Sequence, residues 1–520
     1  MFAQRSPVVI IQNILSAVFG MAGMFFIIKY IGTTSWGFLA FGMGFVGIFT
    51  IIGDLGYSTA HTINITHGEN IDECNGTYLS IKLVMGFVFT IIVIISLAIW
   101  TEVLHKGFQS PVEFWVIIAL IPYFFFKNMT AFSSAYYVAT LKSVRNSIPP
   151  LIEAIFRNSV FIVMALVIGS NPTLYGYVDA LYLALVYSVS YTLFFVVSIL
   201  LGRPWKIGRP TKKMLNNYTK IALPLIFALS VGTINGNIDK VIIQFYWHAT
   251  ATGAFYTSQT IAALITTLST SLSMFFMPLL IKYQKTSGKE KHNESIHEFE
   301  RLISLYTLPL VVPLSLLAVD VMNIFTANYM AYNIMLSLLA WRAYFSAINS
   351  PYNSAIISRK KTKLVAGVDT MLIVFNIILM FILVPPEFLG TGRYSMGPFG
   401  AAYAMLISGI ASFVIYRIIV SRMERIPLNI SILKQAIPAG TQALFILFIE
   451  TIAAPRDILT LGAITVVSIM IYTIVAILIK ETSIGDIFRI AENFIPGNIR
   501  KRFREEDLET NEEFMKFSEE

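Results

Sequence analysis

The sequence predicts an all-α polytopic membrane protein of about fourteen transmembrane helices, arranged as two six-helix bundles around a central cavity plus an extra helix pair. Three observations carry that expectation. The chain is 56% hydrophobic and 13% charged, with mean hydropathy +0.70, whereas soluble domains carry about 25% charged residues. It divides into apolar runs of spanning length. Its basic residues fall almost entirely in alternate connections between those runs.

The runs lie near 8–28, 36–60, 79–100, 112–137, 148–169, 177–201, 218–246, 254–281, 301–326, 332–357, 364–386, 398–420, 429–450 and 458–479. They read as helices because a helix satisfies its own backbone in lipid and an open sheet cannot. The first run is long enough to span and has no small-residue cleavage site after it, so no cleavable signal peptide is expected. An even number of spans places both termini on one side.

Of the 38 basic residues, four fall on one side of the alternation (Lys29, Lys106, Arg393, Arg456) and four lie well inside runs (Lys127, Arg157, Lys240, Arg342). The remainder, Lys82 among them, fall on the other side, which the positive-inside rule makes the cytoplasm. The expected location is the cytoplasmic membrane with both termini inside. The net charge of +8 then reports topology and not nucleic acid, which is not an expected partner.

The longest basic connection, 203–217, contains Pro204 and Pro210 and separates the spans into six and eight. The resulting division is a first bundle at 1–202, a linker at 203–217, a second bundle at 218–426, a helix pair at 427–480 and a cytoplasmic tail at 481–520. Within the tail, 484–499 has the pattern of a surface amphipathic helix, and the charged stretch beyond Arg500 has little to bury. A short internal repeat supports two halves. YIGTTSWG at 30–37 is followed by FLA, and YWHATATG at 246–253 by AFY. Repeated halves are a common transporter architecture. The single cysteine, Cys74, is read in the first cytoplasmic loop and expected to be reduced and dispensable, and no Cys/His metal spacing occurs.

A charge at the bilayer centre costs at least about 3 kcal/mol, so the four intramembrane cations should face a cavity or a partner. In the tenth run Arg342, Ser346, Asn349 and Asn353 share one helix face; Ser230, Thr233, Asn237 and Lys240 do so in the seventh, and Gln259, Thr266, Thr270 and Ser273 in the eighth. Such stripes imply a polar interior or, more plainly, helix-packing contacts. Glu153 and Arg157 stand at i and i+4, which makes a structural pair as natural as a ligand site. Asp239 beside Lys240 offers the same choice. Arg342 has no local carboxylate and is the leading candidate for substrate contact, with Arg157 and Lys127 contributing from the other half. Lys240, Asn349, Asn353, Asn237 and Gln259 complete the candidate set. Asp239, Glu153 and Asp54 are candidate coupling or gating residues, Asp54 as a helix-end group.

Several segments together resemble the polysaccharide-biosynthesis flippases of the multidrug/oligosaccharidyl-lipid/polysaccharide (MOP) exporter superfamily. They are GDLGYSTA at 53–60, NIDKVII at 237–243, TGAFYT at 252–257, FNIIL at 375–379 leading to Val384 and Pro385, and GPFGAAYA at 397–404. They spread over residues 1–425 and depart from the pattern between Pro385 and Pro398 and in the tail. The resemblance implies two six-helix bundles forming a V-shaped cavity, and as substrate an oligosaccharide on a polyprenyl (pyro)phosphate. Membrane lipid, a coupling H+ or Na+, and other glycan-assembly membrane proteins are the implied partners.

The residues and the resemblance agree on one physical point. Arg and Lys in a wet cavity can replace the hydration of a phosphate that crosses hydrocarbon. Moving such a substrate changes no covalent bond, so neither a nucleophile nor a cofactor is expected and the chain reads as a transporter and not an enzyme. A multidrug exporter of organic cations from the same superfamily is the main alternative, and its cavity should favour carboxylates. A membrane glycosyltransferase or polymerase is the other, and would carry large extramembrane loops; no outward connection here exceeds about 15 residues.

Overall fold

The computed structural model describes residues 6–103, 108–169, 178–203, 205–286, 288–359, 361–387, 392–426, 431–452 and 457–482. Among them every regular element is a helix. The first half holds α1 (Ser6–Tyr30), α2 (Thr33–Ile48), α3 (Tyr57–Thr66), α4 (Ile71–Ala98), α5 (Pro111–Ala139), α6 (Ser143–Gly169) and α7 (Val178–Gly202). Then come α8 (Lys212–Asn235), α9 (Ile238–Thr286), α10 (Gly288–Leu316), α11 (Ala318–Phe325), α12 (Asn333–Ser358), α13 (Thr362–Leu383), α14 (Gly400–Glu424), α15 (Ala436–Ile452) and α16 (Ile458–Leu478). Eleven helical segments among the described residues are long and apolar enough to cross a membrane. The runs at 218–246, 254–281 and 332–357 are helical too, but they carry the polar stripes and fall outside that set of eleven.

Lipid-exposed apolar surface is extensive: Phe87, Val189, Leu444, Phe448 and Leu459 are all exposed. In water this would be an aggregation surface, whereas in a bilayer it is solvated. Inside, the helices are held by hydroxyls and small residues as well as by apolar contact. Pro122 lies within α5, where its ring disturbs the local backbone ladder. The Ser188 hydroxyl of α7 inserts there, accepting from Tyr123 N at 3.1 Å and donating to the Ala119 carbonyl. One side chain thus reconnects a backbone bond that no water could satisfy in lipid.

Several runs are broken where the pattern gave no break. The run read at 36–60 is α2, a 3₁₀ turn at Phe49–Gly53, and then α3, separated by left-handed backbone at Leu55 and Gly56. The seventh run is interrupted by a turn at residues 236–237. The seventh and eighth meet at His248, whose φ of 67° and ψ of 179° divide α9 into limbs at 238–247 and 249–286. The basic stretch that joins the runs 254–281 and 301–326 is itself helical on both sides of residue 287.

Two first-half expectations are corrected. Lys82 is not in a loop: it lies on α4 with no exposed surface, its Nζ 2.5 Å from Asp54 Oδ1 and 3.0 Å from the Gly53 carbonyl. The 3₁₀ turn delivers Asp54 to it, so Asp54 serves as the counter-charge of a buried lysine. Cys74 is buried on α4 as well, beneath Tyr218, whose hydroxyl donates to its carbonyl at 3.2 Å. The periodicity placed both residues too close to a helix end, because α4 starts well before the apolar run does. The tail segment 484–499 lies outside the described residues.

The helices before residue 203 pack chiefly on one another, as do those after residue 238, and the main contact between the two sets is α2 against α9. The repeated motif forms that contact. A Cβ on Gly37 would overlap the Ala249 carbonyl, and one on Gly253 would come within 3.0 Å of Thr33 O and 3.1 Å of Gly37 N. The two glycines of the repeat therefore meet backbone to backbone, and only a hydrogen side chain permits that approach. Trp36 seals the junction, donating to Thr257 Oγ1 at 3.1 Å and stacking on Tyr256. At the opposite end α8 leans on the first half: Tyr218 Oη is 2.6 Å from His61 Nδ1, and Asn217 donates to Asn64 at 3.0 Å.

Candidate functional site

Two cavities are lined by three of the candidate residues singled out by sequence: Arg157 in one, Arg342 and Asn349 in the other. The first, about 280 Å³, opens between the halves and is lined by Arg157, Asn158, Trp36, Tyr187, Tyr256 and Thr260, among others. α6 supplies Arg157, α7 Tyr187, α2 Trp36 and the second limb of α9 Tyr256 and Thr260. Arg157 is tied to its own helix: Nε donates to Glu153 Oε1 at 2.6 Å. Nη1 reaches Tyr187 Oη at 3.3 Å and Asn158 Oδ1 at 3.4 Å, and the guanidinium lies 4.7 Å from the Tyr187 ring centroid. Glu153 also accepts from Ser190 at 3.3 Å. The pair is shielded, yet 16% of the Arg157 side chain stays open.

Lys127 stands nearby on α5. It is exposed, with its ammonium 5.6 Å from the Tyr123 ring and 5.4 Å from the Phe124 ring. Among the described residues no carboxylate lies within 4.0 Å of it. Lys127 and Arg157 both act electrostatically on Tyr191, and Tyr191 packs edge-on to Tyr123 with centroids 4.5 Å apart. Two cations and a group of tyrosines thus gather in the first half beside the junction.

The second cavity, about 480 Å³, lies within the second half between α8, α12, α13 and α14. Arg342, Ser346 and Asn349 line it from α12, Asp369 and Asn376 from α13. Among the described residues no carboxylate is within 4.0 Å of Arg342, and Asp239 is the charged group that acts on it. Asn349 donates to Ser412 Oγ at 3.1 Å, and Asn376 to Asn235 Oδ1 at 2.7 Å. Asp369 accepts from Tyr416 at 2.6 Å.

Lys240, Asp239, Gln259 and Asn237 line neither cavity. Lys240 is buried, 3.1 Å from Asp239 Oδ1 and 3.0 Å from the Gly236 carbonyl at the break in the seventh run. Gln259 donates to Asp239 Oδ2 at 3.0 Å. Asn237 packs where a Cβ on Gly47 would sit. This group belongs to the α2–α9 contact. Asn353 lies one turn beyond Asn349 and is not among the lining residues. Arg342 and Arg157, expected to share a site, line different cavities.

The family profile described as polysaccharide biosynthesis protein matches residues 27–332, more than half of the chain. The chain belongs to this family. A search of the curated proteins gives no match. Among solved structures, the lipid II flippase MurJ in an inward closed conformation superposes with TM-score 0.70 at 17% identity, covering 91% of this chain and 98% of that one. An inward-facing multidrug resistance MATE family transporter of the MOP superfamily gives 0.61 at 15%, covering 79% and 96%. An outward-facing MATE family transporter gives 0.53 at 14%, covering 81% and 96%. At these identities the likeness is one of fold.

In this polysaccharide biosynthesis protein the sequence pattern missed three things. The first is Asp369, for which a carboxylate inside the apolar run 364–386 is signal enough. Tyr187 and Tyr191, at i and i+4 on α7, announce one face, though not that Arg157 lies against it. Glu113, buried at the start of α5, gave no signal beyond standing at a helix end.

Proposed function

We propose that this protein is a flippase that carries a polyprenyl-(pyro)phosphate-linked oligosaccharide from the cytoplasmic to the outer leaflet by alternating access. The observation that carries the reading is the Arg157 cavity: an arginine side chain left partly open and tyrosine faces, with Lys127 outside the lining but beside the same group of tyrosines, between two halves sealed at one end by Gly37 and Gly253. The anionic head group would meet Arg157 and Lys127, which replace its hydration, while tyrosines and Thr260 contact sugar. Arg157 bonds Glu153 through Nε, and its side chain lines the cavity and stays partly open, so an anion would meet it with the Glu153 pair in place.

Fourteen spans, with both termini cytoplasmic and the divisions at 202, 217, 426 and 480, complete the reading. The positive-inside asymmetry then assigns the sealed end to the outer face. Membership of the polysaccharide biosynthesis family and the fold shared with a lipid II flippase support the choice of substrate. The cationic lining disfavours an organic cation as cargo.

Trp36 lines the cavity and provides the test. Lipid-linked oligosaccharide should quench the fluorescence difference between the wild type and Trp36→Phe. The same glycan without phosphate should do so weakly, and a cationic dye not at all. Quenching by the dye alone would refute the assignment.

A further inference from the structure

We propose that Glu113 binds the proton that closes the sealed end of the molecule. Glu113 stands in the first turn of α5, in the first half, and is 2% exposed. Its Oε1 accepts from Gln244 Nε2 at 2.8 Å. Gln244 belongs to the first limb of α9, so this hydrogen bond crosses between the halves. Gln109 adds a second crossing, accepting from Ala249 N at 3.0 Å, beside the Gly37 contact.

Two features of this contact are unbalanced. Among the described residues no lysine, arginine or histidine is within 4.0 Å of the Glu113 carboxylate, and an ionised carboxylate without a cation is costly to bury. Gln244 Oε1 is also buried and has no hydrogen-bond partner among the described residues. The first feature is an excess of charge and the second a missing donor. One proton on Glu113 answers both: the acid becomes neutral, and its O–H is a donor that Gln244 Oε1 can accept when acid and amide pair through both of their groups.

The titratable groups on neighbouring elements do not substitute for that proton. They are Glu102 beyond α4, Asp179 at the start of α7, and Tyr246 and His248 at the bend of α9. The groups that bond to the Glu113 carboxylate are instead the Gln244 side chain and the Gln109 backbone N–H, the latter from its own half. Asp179 is bonded to Ser35 at 2.7 Å and to Ala180 N at 2.8 Å. The α5 N-terminus favours the ionised form, but it does so whether or not the halves touch, so it cancels from the difference between states.

When the halves part, Gln244 leaves and water reaches Glu113, which releases its proton to the aqueous phase at that end. When they close, the carboxylate takes a proton from the same phase. Closure is therefore favoured at low pH and lost as pH rises, by up to about tenfold per pH unit for one proton.

The inference rests on the alternating-access reading above, but its test needs no transport. Spin labels on Val103→Cys and Tyr394→Cys, both exposed and in opposite halves, are placed in a Cys74→Ser background in lipid nanodiscs. Their distance distribution is then followed between about pH 5 and pH 9. The closed distance should predominate at low pH and give way to a longer one as pH rises. Glu113→Gln, which keeps a neutral donor beside Gln244, should stay closed at every pH. Gln244→Leu removes the partner and keeps the carboxylate, and should deepen the loss of closure at high pH. A distance insensitive to pH in the parent chain, or an unchanged pH response in Glu113→Gln, overturns the proposal. A pH response in a chain that moves no lipid-linked sugar would instead count against the assigned substrate alone.

Discussion

Arg157 and Arg342 should respond in opposite ways to the same truncation. Arg157→Ala leaves Glu153 buried with Ser190 as its remaining side-chain donor. Removing one partner of a buried pair costs about 3–5 kcal/mol, most of it the penalty on the charge left behind. Adding Glu153→Gln should therefore recover most of the stability. Arg342 has no carboxylate within 4.0 Å among the described residues, so Arg342→Ala strands nothing. It relieves the desolvation of a lone cation and gives up the packing of an aliphatic stem beside Gly409, about 0.8 kcal/mol per buried methylene. The two effects oppose, and the net change should stay within about 1–2 kcal/mol. Thermal unfolding of the purified variants in detergent reads both. The reasoning fails if Arg342→Ala is as destabilised as Arg157→Ala and is restored by Asp369→Asn or Asp239→Asn. Arg342 would then be one arm of a structural pair.

The remaining expectations are more local. Gly37→Val places a branched side chain on the Ala249 carbonyl, so the sealed end should stay open; cysteine reagents would then reach Thr33→Cys in the variant but not in the parent. Ser188→Ala removes the hydroxyl that bonds Tyr123 N and Ala119 O beside Pro122 and should cost about 1–3 kcal/mol in thermal unfolding. Burial, and secondarily Lys82, hold the His61 imidazole down at about 3 from its ordinary 6.5. That group's contribution is complete above pH 6.5 and falls by up to about 1.4 kcal/mol per unit as the pH drops toward 3. His61→Phe should flatten acid unfolding over that window. Lys361→Cys, in the exposed turn before α13, should resist impermeant reagents in intact cells and react after permeabilisation; the reverse would invert the proposed orientation.

The helices were legible because lipid imposes a length and forbids unsatisfied backbone, and a run of about 20 apolar residues announces both. Their breaks were not. Nothing in periodicity marks the turn at 236–237 or the bend at His248, because tertiary contacts support them: Lys240 caps the Gly236 carbonyl, and Gln109 takes the Ala249 amide. The intramembrane cations were legible by their cost, but their partners come from distant positions. Glu153 was visible at i−4 of Arg157, whereas the Tyr187 face, the Asp54–Lys82 pair and the Arg342–Asp369 cavity require the fold. The repeat at 30–37 and 246–253 was visible as spacing; that its two glycines touch each other was not.

Whether this chain moves a lipid-linked sugar can be read in proteoliposomes. The measurement is the movement of a labelled polyprenyl-pyrophosphate oligosaccharide between leaflets, read by the labelled glycan's accessibility to an impermeant enzyme. Flipping should depend on the protein, survive Glu153→Gln/Arg157→Lys in part, and be lost in Glu153→Gln/Arg157→Ala at unchanged protein levels. Accumulation of a cationic dye with no movement of the oligosaccharide would contradict it.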